Sequence, residues 1–137
     1  MNTVTIDASA AVSWLFPAQA SGVADAFLND SADRRLAAPG IFAWEVGNLI
    51  ATRSRRAGMD PTDLCDRLEA LGIEIAPAPS PEAVLETVGA AAALDLTLFD
   101  TAYLLHAMNH GGGLASRDRR LLDAARSAGV DVFDLRD

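Results

Sequence analysis

Apolar and polar positions along this 137-residue chain fall into repeating blocks. Short β-branched runs are followed by longer stretches whose apolar residues recur at helical spacing. Thr3-Val4-Thr5-Ile6 predicts a buried strand ending on Asp7, with a helix over Ala8 to Phe16 that Pro17 breaks. Ser21 to Asn29 predicts a second helix with Val23 and Phe27 on one face, and Asp30 to Arg35 a polar loop. Leu36-Ala37-Ala38 predicts a strand stopped by Pro39-Gly40, followed by a long helix over Ile41 to Ala57 ended by Gly58. Asp60-Pro61 has the form of a helix start, with Leu64, Leu68 and Leu71 as the buried stripe and Gly72 as the stop. Ile73 to Ala76 alternates like a strand, and the proline-rich stretch Pro77 to Pro81 is too short for a domain linker. Helices over Glu82 to Leu94 and Thr97 to Asn109, a strand at Leu114-Ala115, a helix over Asp118 to Ala128 and a strand over Val130 to Phe133 complete the pattern. Strands alternating with helices predict an α/β three-layer sandwich with a mainly parallel central sheet, one domain over 1–137.

Composition narrows the classes. Half the residues are apolar, and a chain of this size can bury about 70% of its unfolded surface. No apolar run approaches the roughly 18 residues of a membrane span, and the start lacks a basic flank before a long apolar stretch. A lone cysteine, Cys65, builds neither a disulfide framework nor a thiolate zinc site. These features lead to the expectation of a cytoplasmic protein with no membrane partner. The net charge of −8 disfavours non-specific nucleic-acid binding, which phosphate attraction dominates. It leaves a nuclease open, since a bound cation inverts the local field. The arginines gather at Arg34-Arg35, Arg53 with Arg55-Arg56, and Arg117 with Arg119-Arg120, and there is no lysine.

Four acids stand at odd places. Asp7 ends the first strand and Asp118 opens a helix just after the strand Leu114-Ala115. Glu45 shares an apolar helical stripe with Phe42 and Leu49, and Asp100 one with Leu96, Tyr103, Leu104 and Ala107. A carboxylate on a core-facing stripe needs a partner. In a parallel sheet, strand ends and the starts of the following helices share one edge, where ligands bind. Two carboxylates ~4 Å apart repel by ~4 kcal/mol at an effective dielectric near 20, so such a cluster takes up protons or a cation. An all-oxygen set favours Mg²⁺ or Mn²⁺, ions that activate water and stabilise phosphoryl oxygens. Each acid also has a plainer reading. Asp7 and Asp118 can cap helices, Glu45 can pair with an arginine, and Asp100 can sit in the field of a helix start. One shared cause accounts for all four together more economically.

Ile6-Asp7-Ala8-Ser9, Glu45 with Asn48, Leu96-Thr97-Leu98-Phe99-Asp100-Thr101-Ala102-Tyr103-Leu104 and Leu114-Ala115-Ser116-Arg117-Asp118 follow one another in order. As an ordered set, spanning essentially the whole chain, they resemble the PIN-domain family, and within it the VapC-type toxin ribonucleases of bacterial toxin–antitoxin pairs. The resemblance implies that Asp7, Glu45, Asp100 and Asp118 hold Mg²⁺ or Mn²⁺ and form the catalytic set of an endoribonuclease. It implies a supporting hydroxyl at Ser116, where the family commonly has threonine, and Ser9 and Asn48 beside it. It further implies an RNA substrate, a homodimer and a small VapB-like antitoxin. Arg120 stands where some members carry a further acid, which weakens the case for a full second metal site. Arg117 and Arg119 flank Asp118 and are candidate phosphate contacts.

Other residues carry less. His106 and His110 have a metal-binding spacing but no completing ligand, and read as surface or helix-end histidines. Cys65 reads as a buried or half-buried hydrophobe, and Trp14, Phe16 and Trp44 as core or interface. Gly111 to Gly113 lacks the lysine and hydroxyl of a phosphate loop and reads as a helix stop. The rival reading is a catalytically silent module of the same fold that binds RNA or a partner protein. An aspartyl phosphotransfer domain needs a lysine this chain lacks.

Overall fold

The computed structural model describes residues 2–137. Strand β1 (Asn2–Ile6) is followed by α1 (Ala8–Leu15), a short 3-10 turn at Pro17–Gln19, and α2 (Gly22–Asn29). Then come β2 (Arg34–Ala38), α3 (Ile41–Ala57), α4 (Pro61–Ala70), β3 (Glu74–Ile75), α5 (Pro81–Leu94) and α6 (Leu98–His110). The chain closes with β4 (Leu114–Ser116), α7 (Arg119–Ser127) and β5 (Val132–Asp134). All strands pair in parallel, in the order β3-β2-β1-β4-β5. Helices α1 to α4 pack among themselves and α5 to α7 do likewise, so helices flank the sheet as a three-layer α/β sandwich.

This order has a physical consequence. The chain winds outward from β1 through β2 to β3, then crosses back to β4 and on to β5. The reversal lies between β1 and β4, where the connections leave the sheet in opposite directions and open a crevice at the strands' carboxyl ends. The registers Thr5↔Leu114 and Ile6↔Ala115 bring Asp7 and Ser116 side by side across it.

Strand β1 is buried on both faces. Val4 and Ile6 join a core with Leu15, Phe42, Val46, Leu64, Leu104, Leu114 and Leu121, all 1% exposed or less. Each such side chain contributes roughly 1.5–3 kcal/mol by leaving water. The Thr5 hydroxyl lies 2.6 Å from His106 Nδ1 on α6. His106 is therefore half-buried rather than a surface residue, and burial followed by the nearby His110 pushes its pKa down to about 4. His110, stacked on it with ring centroids 4.1 Å apart, is exposed as expected. Helix starts carry side-chain caps at Ser21, Asp60, Ser80 and Thr97, each worth about 1 kcal/mol.

Several expectations need correction. Cys65 is exposed, because its position on α4 faces away from the stripe in which Leu64 is buried. Val23 is exposed although Phe27 is buried, because it lies in the first turn of α2, where only the later part of the face meets the core. Of the aromatics expected in core or interface, Phe16 is buried and Trp14 stacks on Phe27, while Trp44 is 79% exposed on α3, which leaves it the interface reading. Strand β2 starts inside the stretch expected to be loop, at Arg34, whose guanidinium lies over the Phe27 and Phe133 rings. No single helix among the described residues is long and apolar enough to cross a membrane.

Gly112 closes the α6–β4 connection against β1. A Cβ there would stand 1.7 Å from the Thr3 carbonyl oxygen, inside the backbone itself. Gly89 on α5 has open space around it. Gly112→Ala is expected to cost about 3 kcal/mol, read as a fall in the urea midpoint, while Gly89→Ala raises stability by about 0.8 kcal/mol. Equal midpoints for the two variants would contradict the packing described here.

Candidate active site

Asp7 leaves β1 in an extended conformation and caps α1. It is only 4% exposed. Its Oδ1 accepts from the Ala10 amide at 2.9 Å and the Ser9 hydroxyl at 2.8 Å. Its Oδ2 accepts from the Ser116 hydroxyl at 2.5 Å, across the β1–β4 crevice. Ser116 Oγ in turn accepts from the Asp118 amide at 2.9 Å, and Ser9 Oγ from the Arg117 amide at 2.8 Å. Two serines thus tie the end of β1 to the end of β4, and Asp7 is oriented by three donors.

Asp118 caps α7, its Oδ1 accepting from the Arg120 amide at 3.0 Å. Asp100 lies in the first turn of α6, its amide donating to the Thr97 hydroxyl at 3.1 Å. Glu45 comes from α3, one turn in from the end of β2, and is half-buried. The plain capping reading therefore holds for Asp7 and Asp118, but it does not exhaust either: Asp118 Oδ2 is left over, and Asp7 is pulled into the crevice.

The four acids influence one another pairwise, in a chain. Burial pushes the Asp7 carboxyl up to about 6, against the lowering effect of its three hydrogen bonds, and Asp118 pushes it further. Burial, then Asp118, raises Asp100. Burial raises Glu45, the Tyr103 hydroxyl holds it back, and Asp100 adds to the rise. The repulsions thus run from Asp7 through Asp118 and Asp100 to Glu45. No ion pair among the described residues takes any of these four acids; the arginine contacts go to Glu74, Asp123 and Asp134 instead.

The donor set tests the fit to a metal. It is all carboxylate and hard, offset only in part by Arg120, and Glu45 Oε1 is buried with no hydrogen-bond partner. That chemistry suits Mg²⁺ or Mn²⁺. As the side chains stand, no three His, Cys, Asp or Glu groups among the described residues converge closely enough to hold an ion. Binding one therefore requires the carboxylates to close in.

The remaining expected residues divide. Ser9 and Ser116 touch Asp7 directly. Asn48 is exposed one turn beyond Glu45, and only its backbone carbonyl accepts a bond, from Thr52. Arg117 turns its guanidinium to the Gln19 carbonyl at 2.8 Å, and Arg119 lies 3.8 Å from Asp123. The arginine whose charge reaches the acids is Arg120, which lowers Asp100 and donates to the Asp95 carbonyl at 2.9 Å. Tyr103, 2% exposed, was read only as part of an apolar face. Its ionisation is raised by burial, then by Glu45 and Asp7, so it stands among the acids as a neutral phenol. A polar group one turn after Asp100 on the same stripe was the available signal.

The raised Asp7 pKa makes a stability claim with a definite sign. The folded state binds more protons than the unfolded state between pH 3.8 and about 6, so this carboxyl's contribution to stability falls as pH rises through that window. The full shift corresponds to about 3 kcal/mol. Asp7→Asn is therefore expected to gain stability relative to the parent chain as pH rises from 4 to 7 in chelator. A stability difference that does not change with pH, measured by urea unfolding, would contradict this.

The chain matches the PIN domain family over residues 4–127. Comparison with curated protein sequences finds no match. Among solved structures it is similar to PAE2754 from Pyrobaculum aerophilum, with 22% identity, a TM-score of 0.68, and 96% of this chain and 91% of that chain covered. It is also similar to FitAcB from Neisseria gonorrhoeae, with 21% identity, a TM-score of 0.63 and 96% of each chain covered. At these identities the structural likeness speaks to the fold, and the match across most of the sequence speaks to descent: the chain belongs to the PIN-domain family, whose members are in general metal-dependent nucleases.

Proposed function

We propose that this chain is a Mg²⁺- or Mn²⁺-dependent endoribonuclease, acting as the toxin of a VapC-type toxin–antitoxin pair. The observation that carries the reading is the unpaired acid group at the switch point, with Asp7 buried, oriented by three donors and pushed up to about 6. Asp7, Glu45, Asp100 and Asp118 would hold the ion. When bound, such an ion lowers the pKa of a water and offsets charge on the scissile phosphate.

The chain's own groups do the rest. Ser116 and Ser9 keep Asp7 from rotating out of the crevice. Asp118 Oδ1 is committed to the α7 cap, so Oδ2 is the oxygen that would meet the ion. Arg120 offsets part of the charge beside Asp100, so of the three arginines it is the one already set near the acids for a phosphate, although like Arg117 and Arg119 it holds a present contact, to the Asp95 carbonyl. Water attack in line with the leaving group gives a 5′-phosphate and a 3′-hydroxyl. The acidic balance suits a structured RNA read by shape rather than a non-specific grip.

Two surfaces support the protein partners. A groove of about 760 Å³ between Phe16–Gln19 and Met59 has a mostly apolar lining that includes Arg53 and Arg56. It fits a small antitoxin segment that is apolar on one side and acidic on the other. Exposed Leu85 and Val88 on α5, with Trp44 on α3, offer the apolar surface a homodimer needs.

The test is incubation of purified protein with total RNA, with Mg²⁺ or Mn²⁺ and then with chelator. Cleavage is expected only with metal, and Asp7→Asn or Asp100→Asn should each lower the rate about 100-fold or more, equivalent to about 2.7 kcal/mol. Cleavage that persists in chelator or in both variants refutes the metal mechanism. RNA retained uncut at every metal concentration would favour the binding module, a reading the unconverged carboxylates keep in view.

A further inference from the structure

Among the described residues, two buried side-chain polar atoms lack any hydrogen-bond partner: Glu45 Oε1 and Tyr103 Oη. They belong to the same site. Tyr103 lies one turn after Asp100 on α6, and its phenol is close enough to Glu45 for each to shift the other's ionisation. A buried hydroxyl and a buried carboxylate oxygen, both unpaired in one site, each forfeit roughly 1–3 kcal/mol of solvation.

The other neighbours do not compete for this proton. Asp7, the second acid beside the phenol, already accepts from Ser9, Ala10 and Ser116. Glu45 Oε1 has no partner, and Tyr103 is the one hydrogen-bonding side chain that holds the Glu45 pKa down. The site therefore holds one unpaired donor and one unpaired acceptor on interacting side chains, and a hydrogen bond between them satisfies both.

We propose that Tyr103 is a positioning residue for Glu45: its hydroxyl donates to Oε1, which turns Oε2 toward Asp100 and Asp118. A glutamate on a long, half-exposed side chain otherwise samples several rotamers. One charge-assisted bond from a rigid, fully packed phenol selects one of them. The ring supplies packing and the oxygen supplies orientation, so the two roles separate on removal of a single atom. The inference rests on the proposed metal site, since orientation matters only if Glu45 has a ligand to meet.

The experiment measures Mn²⁺ affinity on the full chain, by calorimetry, for the parent, Tyr103→Phe, Glu45→Gln and the double variant. Tyr103→Phe keeps the ring, so its melting temperature in chelator should stay near the parent's. Its Mn²⁺ dissociation constant is expected to rise about tenfold, as for loss of a group that orients a ligand. In the Glu45→Gln background the same change should have no further effect. An unchanged dissociation constant overturns the proposal while leaving the metal site standing. An equal loss with and without Glu45 also overturns it, since Tyr103 would then act elsewhere. A parent chain that takes no Mn²⁺ removes the metal site and this inference together.

A second readout does not depend on Tyr103→Phe. Tyr103 is the only tyrosine in the chain, so biosynthetic 3-fluorotyrosine reports on this site alone. Its fluorine resonance should move on adding Mg²⁺ to the parent and stay fixed in Glu45→Gln. A resonance that ignores Mg²⁺, or responds equally in both chains, contradicts the proposal.

Discussion

The hydrogen bond from Ser116 to Asp7 is the contact on which the rest of the site depends. It spans the one place where the sheet's winding reverses, and it joins the last residue of β4 to the first residue after β1. Everything near it is a consequence of parallel pairing. The Ile6↔Ala115 register brings the two strand ends level, so each following residue arrives at the same crevice. Ser9 then adds a second tie through the Arg117 amide, and the starts of α1 and α7 are fixed relative to one another. A shift of either strand by one residue would turn Asp7 or Ser116 to the opposite face.

That arrangement is held against its own electrostatics. Three of the four acids are raised by burial, and each repels a neighbour. A fold selected only for stability would have placed arginines among them, and the chain has arginines to spare. They pair instead at the outer edge of the sheet and along α7, with Glu74, Asp123 and Asp134. Only Arg120 leans toward the group. Strain of this kind, maintained at a strand-end crevice and relieved by protons or a cation, is characteristic of sites that do chemistry. The core under β1, with Val4, Ile6, Phe42 and Leu114 fully packed, supplies the stability that the crevice gives up.

Much of this was legible in the residues. Strand–helix alternation predicts the parallel sheet because strands and helices differ in period, and Pro and Gly mark the junctions. The acids stood out because charge on an apolar stripe is anomalous wherever the chain folds. Other features were hidden for physical reasons. Periodicity assigns a residue to a face but not the extent to which a neighbour covers that face, so Cys65 was expected to be at least half-covered and is not, and the face Val23 shares with Phe27 is covered only at Phe27. His106 was misjudged because its partner, Thr5, lies 101 residues away and is brought close only by the packing of α6 on β1. The directions of Arg117, Arg119 and Arg120 depend on rotamers, which neighbours in sequence do not reveal. Tyr103 was invisible as a polar group because a phenol on a core stripe usually serves as an aromatic ring.

The central claim is that a folded sheet gathers four unpaired acids for a hard dication. Crystals of the chain grown with Mn²⁺, measured at a wavelength where manganese scatters anomalously, test it most directly. The account predicts an anomalous peak at the carboxyl edge between β1 and β4, with Asp7 and at least two of Glu45, Asp100 and Asp118 closed around it. A peak only elsewhere, or none there at saturating Mn²⁺ with the carboxylates turned to arginines, would contradict it.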